Sequence, residues 1–301
     1  MTDLFQQLPT SVLQMGAIFL SIMIEALPFV LIGSIISGFI DVYITPDRVH
    51  AFLPQNKILR ILFGTFVGFI FPSCECGIVP IVNRFLEKKV PTYTAVPFLA
   101  TAPIINPIVL FATYTAFGNS VRFALFRALG SILVALVLEI FWGFVAKAPI
   151  LKQDGAKVHS HDFSDKRGWT KVGYALIQAI DEFFDMGRYL VFGCLFASFV
   201  QVYVPTYVLT RIGHNSLTAI LLMMVLAFLL SLCSEADAFI GASLLASFGF
   251  APVMAFLIIG PMIDIKNLLM MKNHFTNKFI LQFISLITLV ILAYCLMIGG
   301  F

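Results

Sequence analysis

What constrains this chain most is how rarely it turns polar. Apolar segments follow one another from residue 12 to residue 299, and only the interval 147–171 is strongly polar. Of 301 residues, 60% are hydrophobic and 12% charged, against roughly 25% charged in an ordinary soluble domain. Phe alone occurs 32 times, and mean hydropathy is +0.98. A water-soluble fold of this size has too few polar residues to cover so much apolar surface. That excludes a cytosolic enzyme, a disordered chain and a secreted disulfide scaffold. The remaining class is an all-α membrane protein that crosses the bilayer several times. A net charge of +3 is too small to suggest nucleic acid. The N-terminus has no basic n-region and no Ala-x-Ala site, so no cleavable signal is expected.

The chain also repeats itself. Gly33-Ser-Ile-Ile-Ser-Gly-Phe-Ile-Asp-Val-Tyr43 matches Gly193-Cys-Leu-Phe-Ala-Ser-Phe-Val-Gln-Val-Tyr203. Ser73-Cys-Glu-Cys76 then matches Leu232-Cys-Ser-Glu235, and Pro103-Ile-Ile-Asn106 matches Pro261-Met-Ile-Asp264. The matches keep their order at a nearly constant offset of about 160 residues, the mark of a duplication. Residues 1–146 are the first membrane repeat, 147–171 a cytoplasmic linker and 172–301 the second repeat. The linker carries Lys147, Lys152, Lys157, Lys166, Arg167 and Lys171 against Asp154, Asp162 and Asp165.

Each half has the same parts. A long apolar segment (12–43 and 172–204) precedes a short one (58–73 and 215–232), a polar break and a second short one (77–90 and 236–249). A Pro-interrupted segment follows (91–117 and 251–272), and a plain apolar helix closes the half (121–146 and 278–299). A helical arm of about 15 residues rises roughly 22 Å, less than the roughly 30 Å hydrocarbon core. Two such arms fit a re-entrant hairpin with its tip near mid-membrane; one continuous kinked helix over 58–90 is the alternative. The scheme predicts six spanning helices and two re-entrant hairpins.

Charge placement predicts that the halves are inverted. Cytoplasmic loops are enriched in Lys and Arg. The first-half loop with Arg84, Lys88 and Lys89 has an uncharged counterpart near Ser247–Phe250. The second-half loop with Lys266, Lys272 and Lys278 has a counterpart near 108–120 without Lys or Arg. With the linker inside, both basic loops are inside, as is Arg48–Arg60 if the hairpin enters from that face. Arg211 is left outside, and Arg122 and Arg127 fit poorly. Inverted repeats with broken helices meeting at mid-membrane are a transporter architecture. Non-helical backbone at that depth is tolerated only where protein or a cavity surrounds it. The breaks at 73–77, 102–107, 233–237 and 260–264 therefore point at one cavity, with Pro72, Gly77, Pro103, Pro107 and Pro261 making them.

Side chains at the breaks carry the chemistry. Cys74, Glu75 and Cys76 offer two thiols and a carboxylate to a soft cation; the alternative is that the cysteines pack as small apolar groups, which is the expectation for Cys194 and Cys295. Cys233, Ser234, Glu235 and Asp237 form a second cluster. Two carboxylates so close in hydrocarbon suit proton coupling, or they answer a helix N-terminus. Asn106 and Asp264 follow a Pro at matching positions and supply oxygens to a substrate or coupling cation, or cap the restarting helix. Cys74, Cys76 and Glu235 are the metal-ligand candidates. Glu25 and Asp185 match each other and are expected as buried partners or at an interface; Arg188 pairs with Asp185 across one turn. His159-Ser160-His161-Asp162 reads as solvated linker. No nucleotide-binding motif appears, no cofactor is expected, and the chain is not expected to be an enzyme.

Pro72-Ser-Cys-Glu-Cys-Gly-Ile-Val-Pro80 and Ala100-Thr-Ala-Pro-Ile-Ile-Asn-Pro107 resemble a bacterial predicted-permease family that includes the ArsP-like organoarsenical efflux permeases. The resemblance covers most of the chain outside the linker and implies a multi-pass permease of the bacterial inner membrane. It also implies that Cys74, Cys76 and Cys233 bind trivalent arsenic or another soft ion. The second break reads Cys-Ser-Glu, not Cys-Glu-Cys, so an all-thiolate symmetric site is not expected. The expected function is secondary transport of a small thiophilic solute or metal or metalloid species, by proton-coupled efflux through Glu235 or Asp237. The alternatives are a divalent metal permease with an accessory protein, a membrane thiol oxidoreductase and a channel. The expected partners are the lipid bilayer, the small solute, and either a homodimer mate or an accessory membrane protein.

Overall fold

The computed structural model describes residues 10–43, 65, 68–69, 75–145, 150–152, 168–203 and 216–299. Pro72, Cys74, Arg211, the run His159–Asp162 and nearly all of the arm 58–73 lie outside the described residues. Among the described residues the structure is helical, apart from one bridge between Leu151 and Phe275. The helices are α1 (Thr10–Tyr43), α2 (Glu75–Glu87), α3 (Thr92–Ile105), α4 (Pro107–Ala116) and α5 (Val121–Ile140), which runs on as a π-helical turn (Phe141–Val145). Beyond the linker come α6 (Gly168–Tyr203), α7 (Ser216–Leu230), α8 (Ser234–Phe248), α9 (Phe250–Met262), α10 (Ile265–His274) and α11 (Asn277–Ile298).

Six helical stretches are long and apolar enough to cross a membrane: Ser11–Tyr43, Thr92–Ala116, Val121–Val145, Thr170–Tyr203, Phe250–His274 and Asn277–Ile298. They are the segments the sequence marks as full crossings. Two are interrupted. Asn106 is extended (φ −52°, ψ 129°), because the residue before Pro107 is pushed out of the helical region. Its side chain accepts the Ile108 N–H at 2.9 Å and restarts the helix with Pro107 in its first turn. Asp264 does the same one repeat later, extended at φ −138° and ψ 172°, its Oδ1 accepting the Asn267 N–H at 2.5 Å. α7 and α8 have 15 residues each, or about 22 Å apiece. They meet at 231–233, where Ser231 takes φ 50°.

The middle of the bundle is α3 against α9. Every residue from Ala251 to Met262 is buried, as is every residue from Thr94 to Ile105. α5, α7, α8 and α11 pack around α9. Two contacts cross between the halves in matching fashion: α4 lies on α8, and α10 lies on α2.

Helices paired up by the sequence matches also pack on each other. α1 and α6 bury the same stripe: Val30, Gly33, Ser34, Ser37 and Gly38 in one, Leu190, Gly193, Cys194, Ala197 and Ser198 in the other. A Cβ on Gly38 would lie 2.4 Å from the Ala175 carbonyl oxygen, so the end of α1 meets the start of α6. The two run antiparallel with backbones in close approach, the use to which membrane helices put small residues. α5 and α11 are antiparallel too. Tyr294, near the end of α11, donates its hydroxyl to the Phe126 carbonyl near the start of α5 at 2.8 Å. At the other end the Trp142 ring lies 5.3 Å from that of Phe279.

The basic loops gather at one end. Lys88 pairs with Asp41 at 3.0 Å, and Arg84 with Glu182 at 2.7 Å and with Glu87 at 2.8 Å. His274 comes within 3.9 Å of the same Glu182. Lys152 donates from its backbone to the His274 carbonyl and from Nζ to that of Lys272. Glu25 and Asp185 are both exposed, so neither is the buried partner expected. The buried acid of α6 is Glu182, three residues earlier on the face turned to α2. Arg188 does pair with Asp185, at 2.8 Å on the exposed face.

Candidate functional site

Both short helices that follow the polar breaks, α2 and α8, begin with acidic residues. Glu75 opens α2, and Glu235 and Asp237 lie in the first turn of α8. A helix N-terminus carries partial positive charge from its unpaired N–H groups, so carboxylates are favoured there. α10 begins at the second interruption, next to Asp264. The fold turns α10 against α2, and this brings a lysine to the first acid. Lys266 Nζ lies 3.6 Å from Glu75 Oε1 and 3.4 Å from Asp264 Oδ2. Both distances are long for direct hydrogen bonds, so charge holds the three groups together. All three are buried, with Lys266 at 2% exposure.

Lys266 was expected in a basic loop. The structure buries it because it sits in the first turn of α10, the part of the Pro-broken helix nearest the break. Its backbone is hemmed in as well: a Cβ on Gly193 of α6 would lie 3.0 Å from the Lys266 Cα. The backbone N–H of Lys266 reaches Ser231 Oγ at 3.4 Å, which ties the α9–α10 break to the α7–α8 break.

Arg127 is the second buried cation, fully enclosed in α5. Its Nε donates to the Leu257 carbonyl at 3.1 Å, Nη1 to Thr113 Oγ1 at 2.6 Å and Nη2 to the Ser234 carbonyl at 3.1 Å. It joins α4, α5, α8 and α9 and lies in the field of Asp237, Glu235 and Glu75, with Cys233 nearby. Lys266 lies in the field of Asp264 and Glu75, with Cys76 and Cys233 nearby. Each half thus sends one buried cation to the first turn of the other half's short helix.

Several carboxylate oxygens in this chamber are buried without a hydrogen-bond partner among the described residues. They are Glu75 Oε2, Asp264 Oδ2 and both oxygens of Asp237. Asp237 is pressed against bare backbone, since a Cβ on Gly260 would fall 2.5 Å from its Oδ2. Glu235 is half-buried, and its Oε2 accepts from the Cys233 thiol at 2.7 Å and from Ser234 Oγ at 3.3 Å. Four carboxyl groups and two cations share the site, and buried polar atoms left unpartnered are the exception in native proteins.

Of the residues singled out in the sequence, Glu75, Cys76, Cys233, Ser234, Glu235, Asp237 and Asp264 come together around Lys266 and Arg127. Asn106 is buried, and its Oδ1 caps α4. Gly77 lies against the α1 backbone, where a Cβ on Gly33 would fall 2.4 Å from the Gly77 carbonyl oxygen. Pro103 and Pro261 lie within α3 and α9 near their C-terminal ends, and Pro107 opens α4. Cys74 and Pro72 lie outside the described residues. Among the described residues no group of three His, Cys, Asp or Glu side chains is arranged to hold a metal. Cys194 and Cys295 are fully buried in α6 and α11, as packing residues would be.

Lys266 and Arg127 were not recognised as site residues. The signal for Arg127 was present in its poor fit to any loop, since an arginine inside a 25-residue apolar span is itself a functional indication.

The sequence matches a family described as "predicted permease" over residues 11–300. It is 67% identical over 296 residues to a Streptococcus mutans protein named "Putative two-component membrane permease complex subunit", covering 98% of each chain. It is 44% identical over 291 residues to the Bacillus subtilis protein named "UPF0718 protein YcgR", covering 97% of this chain and 99% of that one. No solved structure matches.

Proposed function

The chain belongs to this predicted-permease family and is a multi-pass membrane protein; we propose that it is a secondary transporter, moving a small thiophilic solute or a metal or metalloid species by proton-coupled efflux. One observation carries the reading: the broken helices of both halves contribute charges to one buried chamber, with Lys266 between Glu75 and Asp264. The antiparallel packing of α1 on α6 and of α5 on α11 supports an inverted repeat, the arrangement in which one half rocks against the other around a fixed site. The basic end that gathers Arg84, Lys88, Lys152 and Lys272 is the cytoplasmic one on this reading.

The Cys233–Glu235 contact supplies a coupling step. When a thiophilic cation binds, the Sγ–H bond breaks, an Sγ–cation bond forms, and the thiol proton passes to Glu235 Oε2, 2.7 Å away. Release of the cation reverses the exchange. Asp237, buried with no hydrogen-bond partner among the described residues, takes up a proton or a cation as the chamber loads, because a buried carboxylate without hydrogen bonds is costly to keep ionised. Lys266 lies between Glu75 and Asp264, where it competes with a cationic substrate for their oxygens.

A second reading is a divalent-metal permease that works with an accessory membrane protein. The carboxylates of the chamber favour it by ligand type, since hard cations take oxygen ligands, although no three of the described acids are grouped as a ligand set. The name of the Streptococcus relative, a subunit of a two-component complex, also favours it.

The test is flux into proteoliposomes under an imposed pH gradient, with a trivalent organoarsenical and with Zn²⁺ as cargo. Gradient-driven accumulation of either, lost in Asp237→Asn, supports the transporter. Cys233→Ser separates the two cargoes: it abolishes arsenical flux and spares a metal held by oxygens. Downhill movement of both, indifferent to the gradient, would refute a coupled carrier.

A further inference from the structure

A second intramembrane carboxyl stands apart from the chamber. Glu139 lies near the end of α5 and is 1% exposed. Its Oε1 accepts the Thr65 hydroxyl at 2.9 Å, while Oε2 is buried with no hydrogen-bond partner among the described residues. Thr65 belongs to the first short arm, and its carbonyl accepts from Thr101 Oγ1 of α3 at 3.5 Å. No charged side chain among the described residues acts on Glu139. Tyr93 of α3 approaches Gly143 one turn further on, and the Trp142 ring is tilted against those of Phe279 and Phe283 of α11.

The position on α5 is suggestive. Arg127, Ser131 and Glu139 share the buried face of one helix, and Ser131 Oγ is also buried without a partner. Arg127 is at the chamber. Glu139 is 12 residues on, about 18 Å along the axis, and the chain then reaches the basic end, where Ile150 and Lys152 pair with the 274–276 loop. The π-helical turn Phe141–Val145 follows directly, and such turns recur at functional sites. An ionised carboxylate with one neutral donor and an apolar remainder is strongly disfavoured; a carboxylic acid fits the same surroundings.

We propose that Glu139 is a proton-binding site on the route between the chamber and the basic end of the molecule. The ligand is a proton. It sits on Oε2 while Thr65 donates to Oε1. When water reaches Oε2 from the basic end, the Oε2–H bond breaks, the proton passes to that water, and the Thr65 hydroxyl steadies the carboxylate left behind. The proposal rests on the proton-coupled reading above for its role, but its first test does not need transport.

The test is infrared difference spectroscopy of the purified full-length protein in lipid nanodiscs, titrated from mildly acidic to mildly alkaline buffer. The wild type should show a protonated-carboxyl stretch that Glu139→Gln abolishes, with the amide still accepting from Thr65. Thr65→Val should shift the same band, and this variant decides the matter if Glu139→Gln does not fold. A spectrum unchanged in both variants would overturn the proposal. In proteoliposomes Glu139→Gln should lose the dependence of flux on pH at the basic side; unaltered pH dependence together with loss of the band would also overturn it. A wild type whose flux ignores the pH gradient would count against the transporter reading alone, because the infrared band is read without any cargo.

Discussion

Removing Lys266 should injure the protein more than any other single change in the chamber, and the injury should be repairable. Lys266→Met keeps the length and volume of the side chain and deletes the charge. Glu75 and Asp264, at 3.6 and 3.4 Å from Nζ, then face each other with no cation between them. Breaking a buried ion pair on one side costs about 3–5 kcal/mol, because the remaining charge stays buried without compensation. At about 2–4 °C of melting temperature per kcal/mol for a large domain, the melting point in detergent should fall by roughly 6–20 °C. Glu75→Gln in the same chain should recover a large part of that loss, since charge repulsion goes with it. The coupling between the two sites in a double-mutant cycle should be at least about 1 kcal/mol, above the additivity limit for independent positions. Thermal unfolding of the four variants by intrinsic fluorescence measures it. Additive effects, or a Lys266→Met protein as stable as the wild type, would refute the ion cluster.

Other consequences follow from single contacts. Gly33→Ala places a methyl 2.4 Å from the Gly77 carbonyl oxygen and should destabilise by about 1–3 kcal/mol, as overpacking does, whereas Gly16→Ala, with nothing within 4 Å, should leave the melting temperature unchanged or raise it. Arg127→Lys keeps the charge but cannot reproduce three hydrogen bonds to Leu257, Thr113 and Ser234; it should lower stability and slow flux, and a neutral outcome in both assays would contradict the bridging role. Asp237→Asn removes a buried carboxylate with no hydrogen-bond partner among the described residues, so it should abolish gradient-driven flux while leaving the melting temperature equal or higher. A fall of the melting point would mean that the charge is compensated after all.

Much of the architecture was legible because hydropathy and proline report directly on backbone state. The six spans follow from apolar length, and both helix interruptions fall where Asn106 precedes Pro107 and where Asp264 follows Pro261 by three residues. The site was legible through cost, since Glu75 and Asp237 sit in hydrocarbon only for a reason. Lys266 was not, because a lysine within six residues of Lys272 looks like loop charge in one dimension. Only the folding of α10 against α2 turns it inward. For Glu25 and Asp185 only the buried-partner alternative is overturned, since both are exposed. The match of their positions puts both on the exposed face of α1 and α6, and the buried acid of α6 is Glu182, whose partner Arg84 comes from a distant helix. Glu139 gave no motif at all; its isolation is a property of what surrounds it in space.

The account depends most on the two halves being antiparallel in the bilayer. Asn119, in the turn before α5, and Asn277, at the start of α11, are exposed and equivalent in the repeat. Single cysteines at the two positions, in a chain with Cys74 replaced by Ser, can be labelled with a membrane-impermeant thiol reagent in sealed vesicles of known orientation. The structure predicts labelling from opposite sides, with Asn277→Cys on the side of the linker. Labelling of both from the same side would mean that the halves are parallel, and the shared chamber between Glu75, Asp264 and Lys266 could not exist as described.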